Sequence, residues 1–176
     1  MPDLAVQHLL RDHREGEKAV ALIEELLAAQ AGNPQWDAAR RELFAQIVHF
    51  FEDVVIDHVQ KEEQVLFPAL ESFLPREMGP LAVLRGEHRE ICAHFRRLCE
   101  LGGMLSLGKV DAPLRQEFER VARATVQLTR DHIYKEDRVL FPMIARFLTP
   151  ERDAFLLHEM EALDAAGKGA AKQTLC

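Results

Sequence analysis

A chain of 176 residues is long enough to bury one core of useful size, and 48% hydrophobic with 29% charged residues is the balance of a globular domain rather than a disordered one. The formal net charge of -7 argues against nucleic-acid and anionic-membrane partners, which need clustered Lys and Arg. No run of about 18 apolar residues is present, and Met1-Pro2-Asp3-Leu4 opens without a basic stretch and apolar core, so no membrane span and no secretory signal are expected and the expected address is cytoplasmic.

In chain order, Val6, Leu9, Leu10, Ala19, Val20, Ile23 and Leu27 recur at the three-four spacing of an amphipathic helix, predicting a first helix over about residues 4–30. His13 sits on that stripe, and Gly16 removes bulk beside it. Ala31-Gly32-Asn33-Pro34 breaks the pattern. The second helix starts near Trp36, with a stripe of Phe44, Ile47, Val48, Phe51, Val54 and Val55 that continues into His58, Glu62 and Val65. Pro68 has no N–H and clashes with the preceding turn, so it should kink or end this helix after Phe67, leaving a further turn or two to Leu74. Pro75 to Pro80 is a connection, and the third helix runs from about Leu81 to Leu101 with Leu84, His88, Ile91, Phe95 and Leu98 on one face. Residues 101–113, with Gly102, Gly103, Gly108 and Pro113, read as the longest loop. The fourth helix carries Phe118, Val121, Thr125, Leu128, His132, Glu136 and Val139 on one face before Pro142 repeats the kink. Thr149 before Pro150 predicts an N-cap and a short terminal helix to about Leu163. One domain over residues 1–165 and a flexible C-terminal tail over 166–176 follow.

The chain repeats itself. Residues 58–74 and 132–148 are identical at nine of 17 aligned positions, including the His, the Glu four places on and the Leu-Phe-Pro. At nearly the same offset, Leu9, His13, Arg14 and Glu15 match Leu84, His88, Arg89 and Glu90. Two helical hairpins related by an approximate two-fold predict an all-α fold, an antiparallel up-down four-helix bundle with a short extra C-terminal helix.

The repeat places polar groups where only apolar ones are cheap. A partnerless carboxylate in an apolar seam is costly, yet Glu62 and Glu136 each lie in the seam, one turn after His58 and His132. Residues i and i+4 project together from a helix, and His13 and His88 add nitrogen donors from the other two helices at about the same level. Four imidazoles and two carboxylates are enough for two metal ions with both carboxylates able to bridge. Such mixed donors suit iron, manganese or zinc, and the lack of thiolate disfavours an iron-sulfur cluster. With a coordination position open, two irons could bind a small diatomic ligand.

This pattern resembles the hemerythrin-like, or HHE cation-binding, family over about residues 8–148, through its two His-x-x-x-Glu motifs with following Leu-Phe-Pro and its two single histidines. The resemblance implies a four-helix bundle holding two non-heme irons with an oxo or hydroxo bridge, ligated by His13, His58, Glu62, His88, His132 and Glu136, with Mn or Zn as possible substitutes. It departs from the oxygen carriers of the family at Cys92, where they have a second histidine, and at the last carboxylate, which they place where this chain has Asp137; Glu136 fits the internal symmetry and Asp137 competes. The ligand set is similar to family members that sense iron within a ubiquitin ligase or repair iron-sulfur centres under nitrosative stress. Their F-box region, N-terminal cysteine-bearing domain and additional histidine are not evident here, which leaves a stand-alone small di-iron protein as the expectation. The functions implied are binding or sensing of O2 or NO, alternatively an enzyme or repair factor (peroxidase, NO reduction, iron donation), alternatively iron storage.

Other residues read as structural. His8, His49, His94 and His158 fall off the ligand faces, Glu63 reads as a surface charge, and Tyr134 points away from the seam. Cys92, Cys99 and Cys176 form no Cys-x-x-Cys and no disulfide framework, in keeping with a reducing compartment, and Cys92 is also a candidate to line the pocket or ligate metal. For proton handling the seam offers only Thr125, Thr129 and Cys92.

Overall fold

The computed structural model describes residues 4–32, 35–109, 111–144 and 146–167. Among them are five helices and no strand: α1 (Leu4–Gly32), α2 (38–70), α3 (Pro80–Ser106), α4 (112–144) and α5 (Pro150–Gly167). Helices α1 to α4 form the bundle, α1 packing on α2 and α4, and α3 on α4 and α2, while α5 lies across α1 and α2. None of the helices is long and apolar enough to cross a membrane.

Local chemistry sets most of the ends. Asp37 and Asp111 cap α2 and α4 by accepting from the N–H groups of Arg40 (3.0 Å) and Leu114 (2.8 Å). Thr149 caps α5 as expected, accepting from the N–H of Arg152 at 3.4 Å, with Pro150 at the first helical position. The start of α1 is capped from far along the chain: the Asp153 carboxylate on α5 accepts from the N–H groups of Leu4 (2.7 Å) and Ala5 (2.9 Å). A negative group there also suits the positive end of the helix dipole.

Helix α3 continues past the expected Leu101 through Gly102 and Gly103 to Ser106. Gly102 is a packing notch rather than a breaker, because a Cβ there would lie 2.1 Å from Cζ of Phe44. The stop comes at Gly108, whose φ of 86° lets its N–H reach the Leu105 carbonyl (3.0 Å) while the Lys109 N–H reaches that of Met104 (3.2 Å). Helix α5 likewise runs beyond Leu163 to Gly167. The break at Asn33-Pro34 and residues 168–176 of the expected tail lie outside the described residues.

The two prolines act through what precedes them. In α2, the α-helical Asp57–Lys61 opens into a wider π-turn, Glu62–Leu66, before a last α-turn Phe67–Leu70; in α4, Glu136–Leu140 is the same device between Ala112–Lys135 and Phe141–Ile144. The N–H of Phe67 donates to the carbonyl of Glu62, and that of Phe141 to Glu136, each five residues back. A proline ring clashes with the carbonyl four residues earlier in a regular helix, and the widened turn moves that carbonyl aside. A further π-turn, Phe51–Ile56, interrupts α2 earlier.

Two apolar clusters fill the bundle. One gathers Trp36, Phe44, Phe51, Phe95 and Phe118, and the other Leu9, Leu66, Phe67, Leu140, Phe141 and Met160. Each such buried side chain stabilises the fold by about 1.5–3 kcal/mol. Every bundle helix runs from one cluster to the other through a layer of histidine and glutamate.

Candidate metal centre

That layer holds the six residues singled out by the sequence. His13, His58, His88 and His132 are buried, and Glu62 and Glu136 are 0% exposed. Their donor atoms fall into two groups of four: His13, His58, Glu62 and Glu136 form one, His88, His132, Glu62 and Glu136 the other, with all atoms of a group within 4.8 Å of one another. The carboxylates belong to both groups, so the duplicated hairpin gives two adjacent positions that share two bridging-capable residues.

Within each group the histidines face each other: Nε2 of His13 lies 3.0 Å from Nε2 of His58, and Nε2 of His88 lies 3.1 Å from that of His132. Glu136 Oε2 is 3.1 Å from His13 Nε2 and 3.3 Å from His132 Nε2, while Glu62 Oε2 is 3.2 Å from His88 Nε2. Both oxygens of Glu62 and Oε1 of Glu136 nevertheless have no hydrogen-bond partner. Three such oxygens in a dry seam cost about 1–3 kcal/mol each, more when charged, and a cation removes that cost.

The outer nitrogen of every imidazole is held by a carboxylate. His13 Nδ1 donates to Asp137 (2.7 Å), His88 Nδ1 to Glu63 (2.8 Å), His132 Nδ1 to Glu87 (3.0 Å), and His58 Nδ1 faces Asp12 at 3.5 Å. With Nδ1 protonated and donating outward, each Nε2 presents a lone pair inward, the arrangement of carboxylate–histidine–metal triads. Asp137, which competed with Glu136, therefore stands behind His13 instead of beside Glu136. Glu63 is corrected from a plain surface charge: besides His88 it takes Arg85 at 2.8 Å. Sequence reasoning also passed over Asp12 and Glu87. The signal was present as a second repeat, an acid directly before each single histidine (Asp12-His13, Glu87-His88) and an acid directly after each inner glutamate (Glu62-Glu63, Glu136-Asp137).

Cations complete this shell. Buried Lys61 pairs with Asp12 (2.6 Å) and with Asp164 of α5 (2.8 Å), and Lys135 pairs with Glu87. The phenyl rings of the Leu-Phe-Pro motifs stack on the single histidines, Phe141 on His13 with centroids 5.3 Å apart and Phe67 on His88 at 5.6 Å. Packing and hydrogen bonding thus fix both ring planes.

Without a cation, protons take its role between the facing nitrogens. Burial opposes charge on His13, but hydrogen bonds to Asp137 and Glu136 prevail and hold it at about 10. Burial likewise opposes charge on His88, and Glu62 and Glu63 lift it to about 9. His132 is pushed down by burial, aided by the charge of His88. Glu136 stays well below the usual carboxylate range: burial opposes this, and the neighbouring His132, His13 and His58 outweigh it.

A cavity of about 20 Å³ adjoins the centre, lined by His13, His58, His132 and Asp12 and by the aliphatic Val54, Val55 and Ile91. Gly16 and Thr129 also line it. This is room for about one water-sized molecule. Cys92 is buried but stands outside both donor groups, and its sulfur is held in a disulfide rather than free as a thiolate ligand, which corrects the expectation of unpaired cysteines at this position. His8 pairs with Asp164 at 2.9 Å, His49 and His158 are exposed, half-buried His94 is in neither group, and Tyr134 is 65% exposed.

Uncharacterized proteins of Mycobacterium tuberculosis and Mycobacterium bovis are 28% identical over 149 residues, 82% of this chain and 54% of theirs, so the chain spans about half the length of those relatives. The iron-sulfur cluster repair protein DnrN of Neisseria gonorrhoeae is 27% identical over 142 residues, 79% of this chain and 88% of that protein. No solved structure gives a significant match. The model of the hemerythrin HHE cation-binding domain matches residues 4–144, the span that carries all six inner residues and the four carboxylates behind them. The chain belongs to the hemerythrin HHE cation-binding domain family.

Proposed function

We propose that His13, His58, Glu62, His88, His132 and Glu136 would hold two non-heme irons, with Glu62 and Glu136 available to both donor groups, and that this centre binds or senses O2 or NO in the cytoplasm. The observation that carries the reading is the pair of facing Nε2 atoms at 3.0 and 3.1 Å, whose Nδ1 atoms face outward carboxylates: two inward lone pairs repel unless a cation lies between them. Mixed imidazole and carboxylate donors fit iron, and manganese or zinc can replace it.

Bound iron supplies the electrons for reversible capture of a diatomic. The chain's own residues do the rest. Asp137, Glu63, Glu87 and Asp12 keep the Nδ1 protons outward and the Nε2 atoms basic, Phe67 and Phe141 hold the ring planes, and Val54, Val55 and Ile91 keep bulk water from the cavity. A second reading, iron donation or repair of iron-sulfur centres, is favoured by the similarity to DnrN over 79% of the chain.

Iron-loaded protein is expected to carry about two irons per chain. After anaerobic reduction its optical spectrum should change with O2 or NO and revert when the gas is removed. No change with either gas sinks the binding reading. Loss of iron to an apo iron-sulfur acceptor under the same conditions moves the case to repair.

A further inference from the structure

We propose that Thr129 is the hydrogen-bond donor that selects the ligand in the cavity beside the metal pair, favouring small ligands whose outer atom gains negative charge on binding. This rests on the di-iron reading and adds a specificity-determining residue to it.

The two threonines of α4 behave differently. Thr125 follows the habit of helical threonine, its hydroxyl donating to the Val121 carbonyl four residues back at 2.8 Å. Thr129, one turn nearer the centre, is 3% exposed and its Oγ1 has no hydrogen-bond partner at all. It lines the cavity with His13, His58, His132 and Asp12, whose carboxylate faces His58 and Lys61, and the remaining lining is aliphatic apart from Gly16. A buried hydroxyl without a partner lowers stability, so a valine there would be the better structural choice.

Another lining residue shows the same preference for space over stability. Gly16 lies inside α1, where glycine is the poorest helix former short of proline. A Cβ at Gly16 would meet nothing closer than Cδ1 of Ile133 at 3.9 Å, ordinary contact, so sterics do not require glycine there. What an alanine would do is narrow the gap that Gly16 lines. One residue keeps the gap open and the other puts an unpartnered hydroxyl into it.

The test uses iron-loaded, oxidised protein with azide, and reduced protein with NO, each titrated by its optical bands. Thr129→Val keeps the shape and drops the hydroxyl: azide and NO should bind about ten-fold more weakly with shifted bands, the size expected for one lost hydrogen bond. Iron content should be unchanged, and the thermal midpoint of chelated protein unchanged or raised. Thr129→Ser should restore affinity, and Gly16→Ala should weaken binding while raising the midpoint. Equal affinity and band positions in Thr129→Val and wild type overturn the role of Thr129 and leave the di-iron reading standing. A lowered midpoint in chelated Thr129→Val also overturns it, by revealing a structural partner for the hydroxyl. Wild-type protein that binds neither probe overturns the functional reading itself, and this proposal with it.

Discussion

Behind His58 stand Asp12, then Lys61, then Asp164 of α5; behind the matching His132, among the described residues, stand Glu87 and Lys135 alone. The inner atoms of the two halves are near copies, with histidine pairs at 3.0 and 3.1 Å. The outer support is not. Lys61 has 4% of its side chain exposed and is fixed between two helices, whereas Lys135 has 44% exposed and rests on one. The difference teaches where symmetry comes from and where it stops. Duplication of a hairpin accounts for the histidine and glutamate cage, and the unduplicated α5 accounts for the unequal bracing.

The largest effect should be blind to this asymmetry. Glu62→Ala or Glu136→Ala removes a residue shared by both groups, so either should bring iron below one per chain by metal analysis, whereas His13→Ala and His88→Ala should each leave about one. Retention of two irons by either Glu variant would break the shared-carboxylate assignment. Next come the outer carboxylates: Glu87→Gln, Glu63→Gln and Asp137→Asn should each weaken metal affinity about 10- to 100-fold in a chelator competition, and Asp12→Asn less, because its contact with His58 is 3.5 Å.

The bracing itself is tested by Lys61→Met against Lys135→Met. The first leaves Asp12 and Asp164 without their cation and should cost about 2–3 kcal/mol in denaturant unfolding, the second under about 1 kcal/mol, since its pair is half exposed. Equal losses would make α5 irrelevant to the difference between the halves. The mildest effect is on pH dependence. His13 and His88 are raised from 6.5 to about 10 and about 9, so their protonation stabilises chelated protein fully below pH 6.5 and this contribution is lost as pH rises through 9 and then 10. Metal-loaded protein, whose imidazoles are already deprotonated, should show no such decline in thermal midpoint between pH 7 and 10.

The cage was legible because its members violate a pattern. A histidine or glutamate on an otherwise apolar stripe is visible in one dimension, and its repetition makes the visibility specific. The carboxylates behind the cage violate nothing: Asp12, Glu63, Glu87 and Asp137 fall where a helix is expected to be charged, and each partner is on another helix. The Asp153 cap on α1 was hidden for the same reason, with the two residues about 150 positions apart in the chain. Gly102 and Gly103 read as a loop because glycine penalises helices locally, and that penalty was outweighed by the fit against Phe44. The π-turns were read as proline kinks, since the sequence shows the proline and not the displaced carbonyl.

Those wide turns have a consequence in residue counting. At about 100° per residue, neighbouring side chains on a regular helix diverge, and five residues carry the chain well past a full turn. The π-turn closes Glu62 on Phe67 with one residue more than an α-turn uses, so consecutive acids address one imidazole from both sides, Glu62 at Nε2 (3.2 Å) and Glu63 at Nδ1 (2.8 Å) of His88. Glu136 and Asp137 do the same to His13 at 3.1 and 2.7 Å. The extra residue is thus a spacer, and the exposed members are Gln64 in one copy and Arg138 and Val139 in the other. A chain shortened by Gln64 alone keeps every residue of the cage and keeps Phe67 in phase with Glu62, leaving helix length as the variable that decides whether two adjacent carboxylates can clasp a single ring.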